Sequence, residues 1–448
     1  MLPHKTAMPG FEHSWIFKMI RKTAILLLLF SNTFILKAQF LTDMMDTSTN
    51  VGRGILQMYK KFDRIYITGY LQPQFQVAQK KGIDTWNGGD FAPNSNSRFM
   101  LRRGRVRLDY VRMNNNDQIA LYFVFQFDGT ERGVVIRDFW GRVFDNRWKV
   151  FQLTVGMFAR PFGYEVNRSS SDRESPERGR MSQILMRNER DLGAMISFEP
   201  RSSTHPLRYL KVDAGFFNGQ GLTSTQEYDS YKDFITHVGL KPYPLSETLS
   251  VSGGLSYFNG GLFQNTKYTY EMDGGTTGKF FLIDSAMENI GRKAPRHYHG
   301  ADMQLKWKNT YGITELRTEY WRGTQTSSGG TSETPASLLN EPYYVRKFDG
   351  AFIYLIHTIK DKHQFGIKYD WYDPNTDVKG EEIGKDANNI NSTNIKYNTI
   401  STGYNFIINE NARLMLWYEF VKNENTSLAG YTSDLKDNVF TARLQFRF

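Results

Sequence analysis

From Arg64 onward the chain alternates apolar and polar residues in runs of about ten, each broken by a turn. Ile119, Leu121, Phe123, Phe125 and Phe127 oppose Gln118, Ala120, Tyr122, Gln126 and Asp128. Phe365, Ile367, Tyr369 and Trp371 oppose Gln364, Lys368 and Asp370; Ala301, Met303, Leu305 and Trp307 oppose Asp302, Gln304, Lys306 and Lys308. Leu414, Leu416, Tyr418 and Phe420 oppose Arg413, Glu419 and the bulkier Met415 and Trp417. A period of two gives each run one oily face and one wet face, the pattern of a strand. Sixteen such runs begin near residues 64, 98, 118, 134, 148, 191, 208, 232, 249, 297, 313, 347, 363, 396, 412 and 438.

The connections alternate short with long. Met113 to Asp117, Asp145 to Arg147, Asn309 to Gly312, Lys360 to Lys362 and Asn409 to Asn411 are tight and rich in turn residues. Lys80 to Ser97, Ala159 to Arg190, Gly260 to Arg296, Gly323 to Arg346, Asp373 to Ile395 and Lys422 to Asp437 are long. A soluble sandwich or propeller has no reason to keep its long loops on one edge. Short periplasmic turns and long external loops are the habit of outer-membrane barrels. The pattern therefore predicts an all-β, transmembrane antiparallel barrel of about sixteen strands, with outer-membrane lipid against its apolar face. Tyr110, Trp140, Trp148, Tyr257, Trp307, Tyr320, Trp321, Trp371 and Tyr372 lie near strand ends, where interfacial girdles would form.

The two ends of the chain fit that reading. Phe440, Ala442, Leu444, Phe446 and Phe448 share one face of the last run, and Thr441, Arg443, Gln445 and Arg447 the other. Phe446 and Phe448 are the expected signal for the outer-membrane assembly machinery. At the start, Arg21 and Lys22 precede the apolar run Ala24 to Phe30, and Lys37-Ala38-Gln39 offers a cleavage point despite the bulky Leu36. The run falls short of the ~20 apolar residues of a spanning helix. Residues 1–38 thus read as a signal peptide, with Met19 a candidate true start. Residues 39–63 read as a periplasmic lead-in and residues 64–448 as the barrel.

Composition then narrows the chemistry. Aromatics make up 15% of the chain and cysteine is absent, which excludes disulfides and thiolate metal sites. The formal charge is +10, of which the first 38 residues carry four units. Such an excess could suit nucleic acid, anionic lipid or small anions; placed inside an exported barrel it points to small anions and gives no nucleic-acid partner. His297 and His299 lack a third ligand, Gly274-Gly275 has no following helix, and Ser169 to Ser171 lack a nucleophile elbow. No cofactor, metal or catalytic residue is expected.

Arginine is the candidate functional chemistry. Arg103, Arg105 and Arg107 share a parity with Asp109, while Val106, Leu108 and Tyr110 share the other. Facing lipid near the midplane, each cation would cost about 2–4 kcal/mol, so this parity should face the lumen. The guanidiniums would then stand ~6.6 Å apart along the strand and match anion oxygens in steps. Arg102 falls on the apolar parity and is expected near the headgroups. Asp128 and Arg142 join the expected pore lining. Pairing of these arginines with Asp109, Asp128 or Asp138 would instead give a wet wall with little selectivity. The long loop from about 159 to 191 carries Arg160, Arg168, Arg173, Arg178, Arg180, Arg187 and Arg190 against six carboxylates. Pro161 and Gly163 should bend its root. It is either functional or a solvated external loop whose charges pair among themselves. Arg413, Arg443, Arg447, Lys306 and Lys308 are further basic candidates for the interior.

Gly156-Met157-Phe158-Ala159-Arg160-Pro161-Phe162-Gly163-Tyr164-Glu165 resembles the strand-to-loop signature of phosphate-selective porins of the O and P family. Asn188-Glu189-Arg190-Asp191-Leu192-Gly193 resembles that family's return into the next strand, and Arg103-Gly104-Arg105-Val106-Arg107-Leu108 and Phe125-Gln126-Phe127-Asp128 are also similar. The resemblance spans residues 64–448 and is strongest from 98 to 200. It implies a sixteen-stranded homotrimeric channel with an arginine-lined pore, the 159–191 loop folded into the lumen as a constriction, and small anions such as phosphate as partners. The expected function is passive diffusion of small anions, with a general non-selective porin as the alternative. An outer-membrane enzyme or a soluble β-rich binding protein are further classes.

Overall fold

The structure, a computed structural model, describes residues 63–448 apart from 223, 225, 276–277 and 386–388. The expected signal peptide and nearly all of the lead-in lie outside the described residues. The strands are β1 (Asp63–Ala78), β2 (Ser97–Met113), β3 (Ile119–Thr130), β4 (Gly133–Phe144), β5 (Phe151–Ala159), β6 (Arg190–Phe198), β7 (Leu210–Phe217), β8 (Asp233–Pro244) and β9 (Leu249–Phe263). They continue as β10 (Thr269–Gly275), β11 (Gly278–Asp284), β12 (Lys293–Asn309), β13 (Gly312–Ser327), β14 (Tyr343–Ile359), β15 (His363–Asp373), β16 (Tyr397–Asn409), β17 (Ala412–Asn423) and β18 (Val439–Arg447).

Sixteen of these form one closed antiparallel barrel. β1 to β9 pair in order, β9 pairs with β12, and β12 to β18 continue to the seam. β18 returns to β1 from Tyr70↔Arg447 to Ala78↔Val439. Beyond that ladder Gly69 N donates to Phe448 O at 3.0 Å and Phe448 N donates to Gly69 O at 3.1 Å. The remaining pair, β10 and β11, is a correction to the sequence reading, which passed over it as part of a long loop. It is a hairpin within the β9–β12 connection, and β10 runs parallel beside the start of β14 from Thr269↔Tyr343. Tyr270 stacks on Tyr344 at 4.5 Å, and Phe281 packs with Val378, Ile383, Ile390 and Ile395 of the β15–β16 connection.

Alternation decides what each wall meets. Val143, Leu255, Ile367 and Phe420 point outward and are about half or more exposed, whereas Thr154, Lys368, Thr441 and Arg443 are buried inside. Apolar residues around a closed sheet with no free edge suit a bilayer, which puts the barrel in the outer membrane. Among the described residues no helix is long and apolar enough to cross a membrane. The girdle needs a correction: Trp321 and Tyr372 are fully buried inside the barrel, and Trp140 packs against the same interior cluster. Tyr320 and Trp371, their neighbours in sequence, take the opposite face by the strand period. Trp148 and Trp307 remain well exposed on the outside.

Candidate functional site

One connection does not extend away from the barrel. β5 ends at Ala159, and residues 160–189 fold into the lumen before β6 begins. The bend at its root is fixed by backbone chemistry. Gly163 has φ +66°, where a Cβ is unfavourable, and a Cβ there would collide with the Glu319 carboxylate. Glu319 of β13 accepts from Tyr164 N at 3.0 Å, Glu165 N at 2.9 Å and Trp321 Nε1 at 2.6 Å. Ser256 Oγ of β9 accepts from Gly163 N at 2.9 Å. Phe162 then packs against Trp321, Tyr298 and Phe258. The short helix α1 (Arg180–Leu185) adds Met181, Ile184 and Leu185 to this cluster. An apolar core thus fills part of the lumen, where each large side chain contributes roughly 1.5–3 kcal/mol of burial.

Carboxylates of the loop tie its far side to the wall. Glu177 meets Arg102 at 2.8 Å, Arg103 at 2.7 Å and Arg443 at 3.1 Å. Glu174 meets Arg317 at 2.7 Å, Glu165 meets Lys368 at 3.4 Å, and Glu189 pairs with Arg137 and Arg190. Burial opposes charge on Glu177 and Glu189, but the surrounding guanidiniums override it and hold both well below the usual carboxylate range. Backbone carbonyls complete the attachment: Arg443 donates to Pro176 O at 2.8 Å, Arg413 to Arg173 O at 2.6 Å and Gln72 to Ser170 O at 3.0 Å.

The space left is a cavity of about 1180 Å³, lined in part by β1 to β7 and the loop. Among the described residues, seventeen lysines and arginines line it against nine carboxylates. Arg103, Arg105, Arg107, Arg142 and Asp128 are among its lining residues. The arginines of β2 are not free cations, however. Arg105 meets Asp128 at 2.9 Å, and Arg107 meets Asp109 at 2.8 Å and Tyr122 Oη at 2.8 Å. Among the described residues Arg142 forms no ion pair; it donates to Thr154 Oγ1 at 2.7 Å and lies 4.9 Å from the Trp140 ring centroid.

Several placements differ from the pattern. Arg102 does not sit at the headgroups: both it and its neighbour Arg103 reach Glu177, so the in–out alternation slips by one residue between them. Arg160 is a buried root residue donating to Asn188 O, outside the cavity lining, and Arg190 is the first residue of β6, paired with Asp138 at 3.1 Å. Neither constricts as part of the loop. Arg168, Arg173, Arg178, Arg180 and Arg187 do line the cavity from the loop. Arg168 is occupied by Glu174 at 2.6 Å and Arg187 by Glu333 of the β13–β14 connection. Burial, with Arg103 and Arg178 nearby, pushes Arg173 down to about 10. Sequence reasoning missed Arg137, which is the extra residue where Gln126↔Asp138 is followed by Phe127↔Ile136. It also missed the interior row Gln72, Gln74 and Gln76, whose spacing of two was readable.

No family model matches the chain, nor does any curated protein. Solved structures do. The outer membrane channel DcaP of Acinetobacter baumannii is 12% identical with a TM-score of 0.52, covering 87% of this chain and 98% of that one. OprB of Pseudomonas putida, in its high-pH structure, is 10% identical with a TM-score of 0.52, covering 89% and 96%. OmpF of Salmonella typhi, in complex with daunomycin, is 10% identical with a TM-score of 0.51, covering 87% and 99%. The fold is that of outer-membrane porins. At this identity the likeness narrows the phosphate-porin resemblance to the fold alone.

Proposed function

We propose that the barrel is a passive diffusion channel with a preference for small anions. The observation that carries this is the lining of the cavity, in which basic side chains outnumber carboxylates by nearly two to one. Such a lining raises the local concentration of anions and lowers that of cations. The pairing of Arg103, Arg105 and Arg107 with carboxylates argues for a graded preference over tight recognition of one ion. Phosphate enters as one permeant anion among several.

Reversal potentials in planar bilayers under a potassium chloride gradient test the reading. The expected sign is that of faster chloride passage, with added phosphate reducing the chloride current. Equal passage of potassium and chloride, unaffected by phosphate, leaves only a general pore. Arg142→Glu is the most informative substitution, because it breaks no ion pair among the described residues; the chloride-to-potassium ratio is expected to fall several-fold with the fold intact.

Assembly into homotrimers, which the phosphate-porin resemblance implies, would cover a low part of the wall. β5, β6 and β7 have 9, 9 and 8 residues, at or below the ~9–11 of a spanning strand, and Phe151, Leu153, Leu192, Ile196 and Phe216 face outward there. Light scattering of the detergent-extracted protein is expected to give three copies; a monomer would remove this part of the proposal.

A further inference from the structure

The cavity holds a second polar niche, apart from the arginine column of β2. Asp437, in the β17–β18 connection, is 6% exposed, and its Oδ1 has no hydrogen-bond partner among the described residues. Six of the nine carboxylates lining the cavity sit in ion pairs with wall or loop cations. Asp437 does not, although Arg180 is close enough to act on it electrostatically. Arg180 lies with its guanidinium 3.6 Å from the centroid of the Tyr397 ring and likewise forms no ion pair among the described residues. Tyr431 and Lys436 line the cavity beside them.

A buried carboxylate oxygen with no donor is costly unless something donates to it. The neighbouring charges limit what that can be. A simple anion gains Arg180 and is repelled by Asp437. A simple cation gains Asp437, with Asp434 and Asp370 nearby, but is repelled by Arg180, Lys436 and the basic lumen. A solute carrying both charges satisfies both groups, and the Tyr397 and Tyr431 rings offer apolar flanks. We propose that Arg180 and Asp437 form a subsite for small zwitterions, amino acids or short peptides, with the solute carboxylate on Arg180 and its ammonium on Asp437. The inference rests on the channel reading above and adds a class of solute to it. Burial pushes Asp437 up to about 6, with Arg180 offsetting only part of that, so an arriving ammonium would meet a carboxylate that is largely ionised at pH 7.

Interruption of single-channel current tests it, using the full-length protein in planar bilayers with three probes: glycylglycine, its N-acetyl form and its amide. Glycylglycine is expected to interrupt the current at about tenfold lower concentration than either blocked form, since each retains one of two charge-assisted contacts. Asp437→Asn should bring glycylglycine level with the N-acetyl form, and Arg180→Gln level with the amide. Ratios within one preparation remove any difference in channel number. Equal blocking by all three probes in the wild type means the niche holds water only and overturns the proposal. The reversal potential in the same bilayers judges the anion preference separately: discrimination among the probes with a zero reversal potential would retire that preference and keep the subsite. No current at all overturns both.

Discussion

Glu177 shows how much of this lumen hangs on single side chains. It is one carboxylate shared by Arg102, Arg103 and Arg443, on two neighbouring regions of wall. Glu177→Gln would leave three largely buried guanidiniums without their counter-charge, and breaking a buried pair from one side costs about 3–5 kcal/mol. The loop should detach from β2 and β18, seen as tryptic cleavage within residues 168–187 that the wild type resists. Gly163→Ala acts at the other end of the loop: φ +66° costs an L-residue about 1–2 kcal/mol, and the added Cβ meets Glu319. A lowered melting temperature with an unaltered strand content by circular dichroism is the expected result. These partnerships were only half legible in the sequence. The inward parity of Arg103, Arg105 and Arg107 could be read from alternation. That Arg102 faces inward too could not, because a slipped residue in a strand has no side-chain signature. Nor could Glu177, 75 residues from Arg102, be matched to it.

At the scale of elements the alternation carried nearly everything, because a sheet wet on one side and oily on the other admits only one register. All sixteen barrel strands begin within four residues of where the pattern starts them. The β10–β11 hairpin escaped because it lies outside the wall, where neither face must be oily throughout. Gly274, Gly275 and Gly278 between Met272 and Phe281 were its signal. The seam between β1 and β18 is the element with most at stake. Phe448 exchanges two backbone hydrogen bonds with Gly69, and its ring lies where a Gly69 Cβ would be. Deleting Phe448 removes both bonds and uncovers the glycine. The heat-modifiable, membrane-inserted fraction on gels is expected to drop sharply, while channels that do insert keep the wild-type reversal potential. Normal insertion of the truncated chain would deny the terminal residue its role in closure.

For the whole molecule, acid should act in two separate steps, because the groups involved are shifted in opposite directions. No histidine lines the cavity among the described residues, and of the groups that do line it we assign the first step to Asp437, whose carboxyl is raised to about 6 against an ordinary value near 4 by burial and the nearby Asp434, with Arg180 opposing. Its raised value means the folded protein holds this proton more tightly than the unfolded chain. Between pH 7 and 5 Asp437 therefore neutralises without loss of stability, and Arg180 and Lys436 beside it lose a counter-charge. The chloride-to-potassium ratio should rise across that interval, and Asp437→Asn should show the high ratio already at pH 7 with no further rise. Glu177 and Glu189 behave in the opposite sense. Their values in the folded barrel lie well below the ordinary ~4.3, so the stability they give the docked loop is complete above that value and fades only as pH falls towards their own. Conductance should thus stay quiet down to about pH 4 and turn noisy below it, as the loop leaves the wall. A single transition near pH 6 that changed both ion preference and current noise would mean that the loop is held by Asp437 and not by its glutamates.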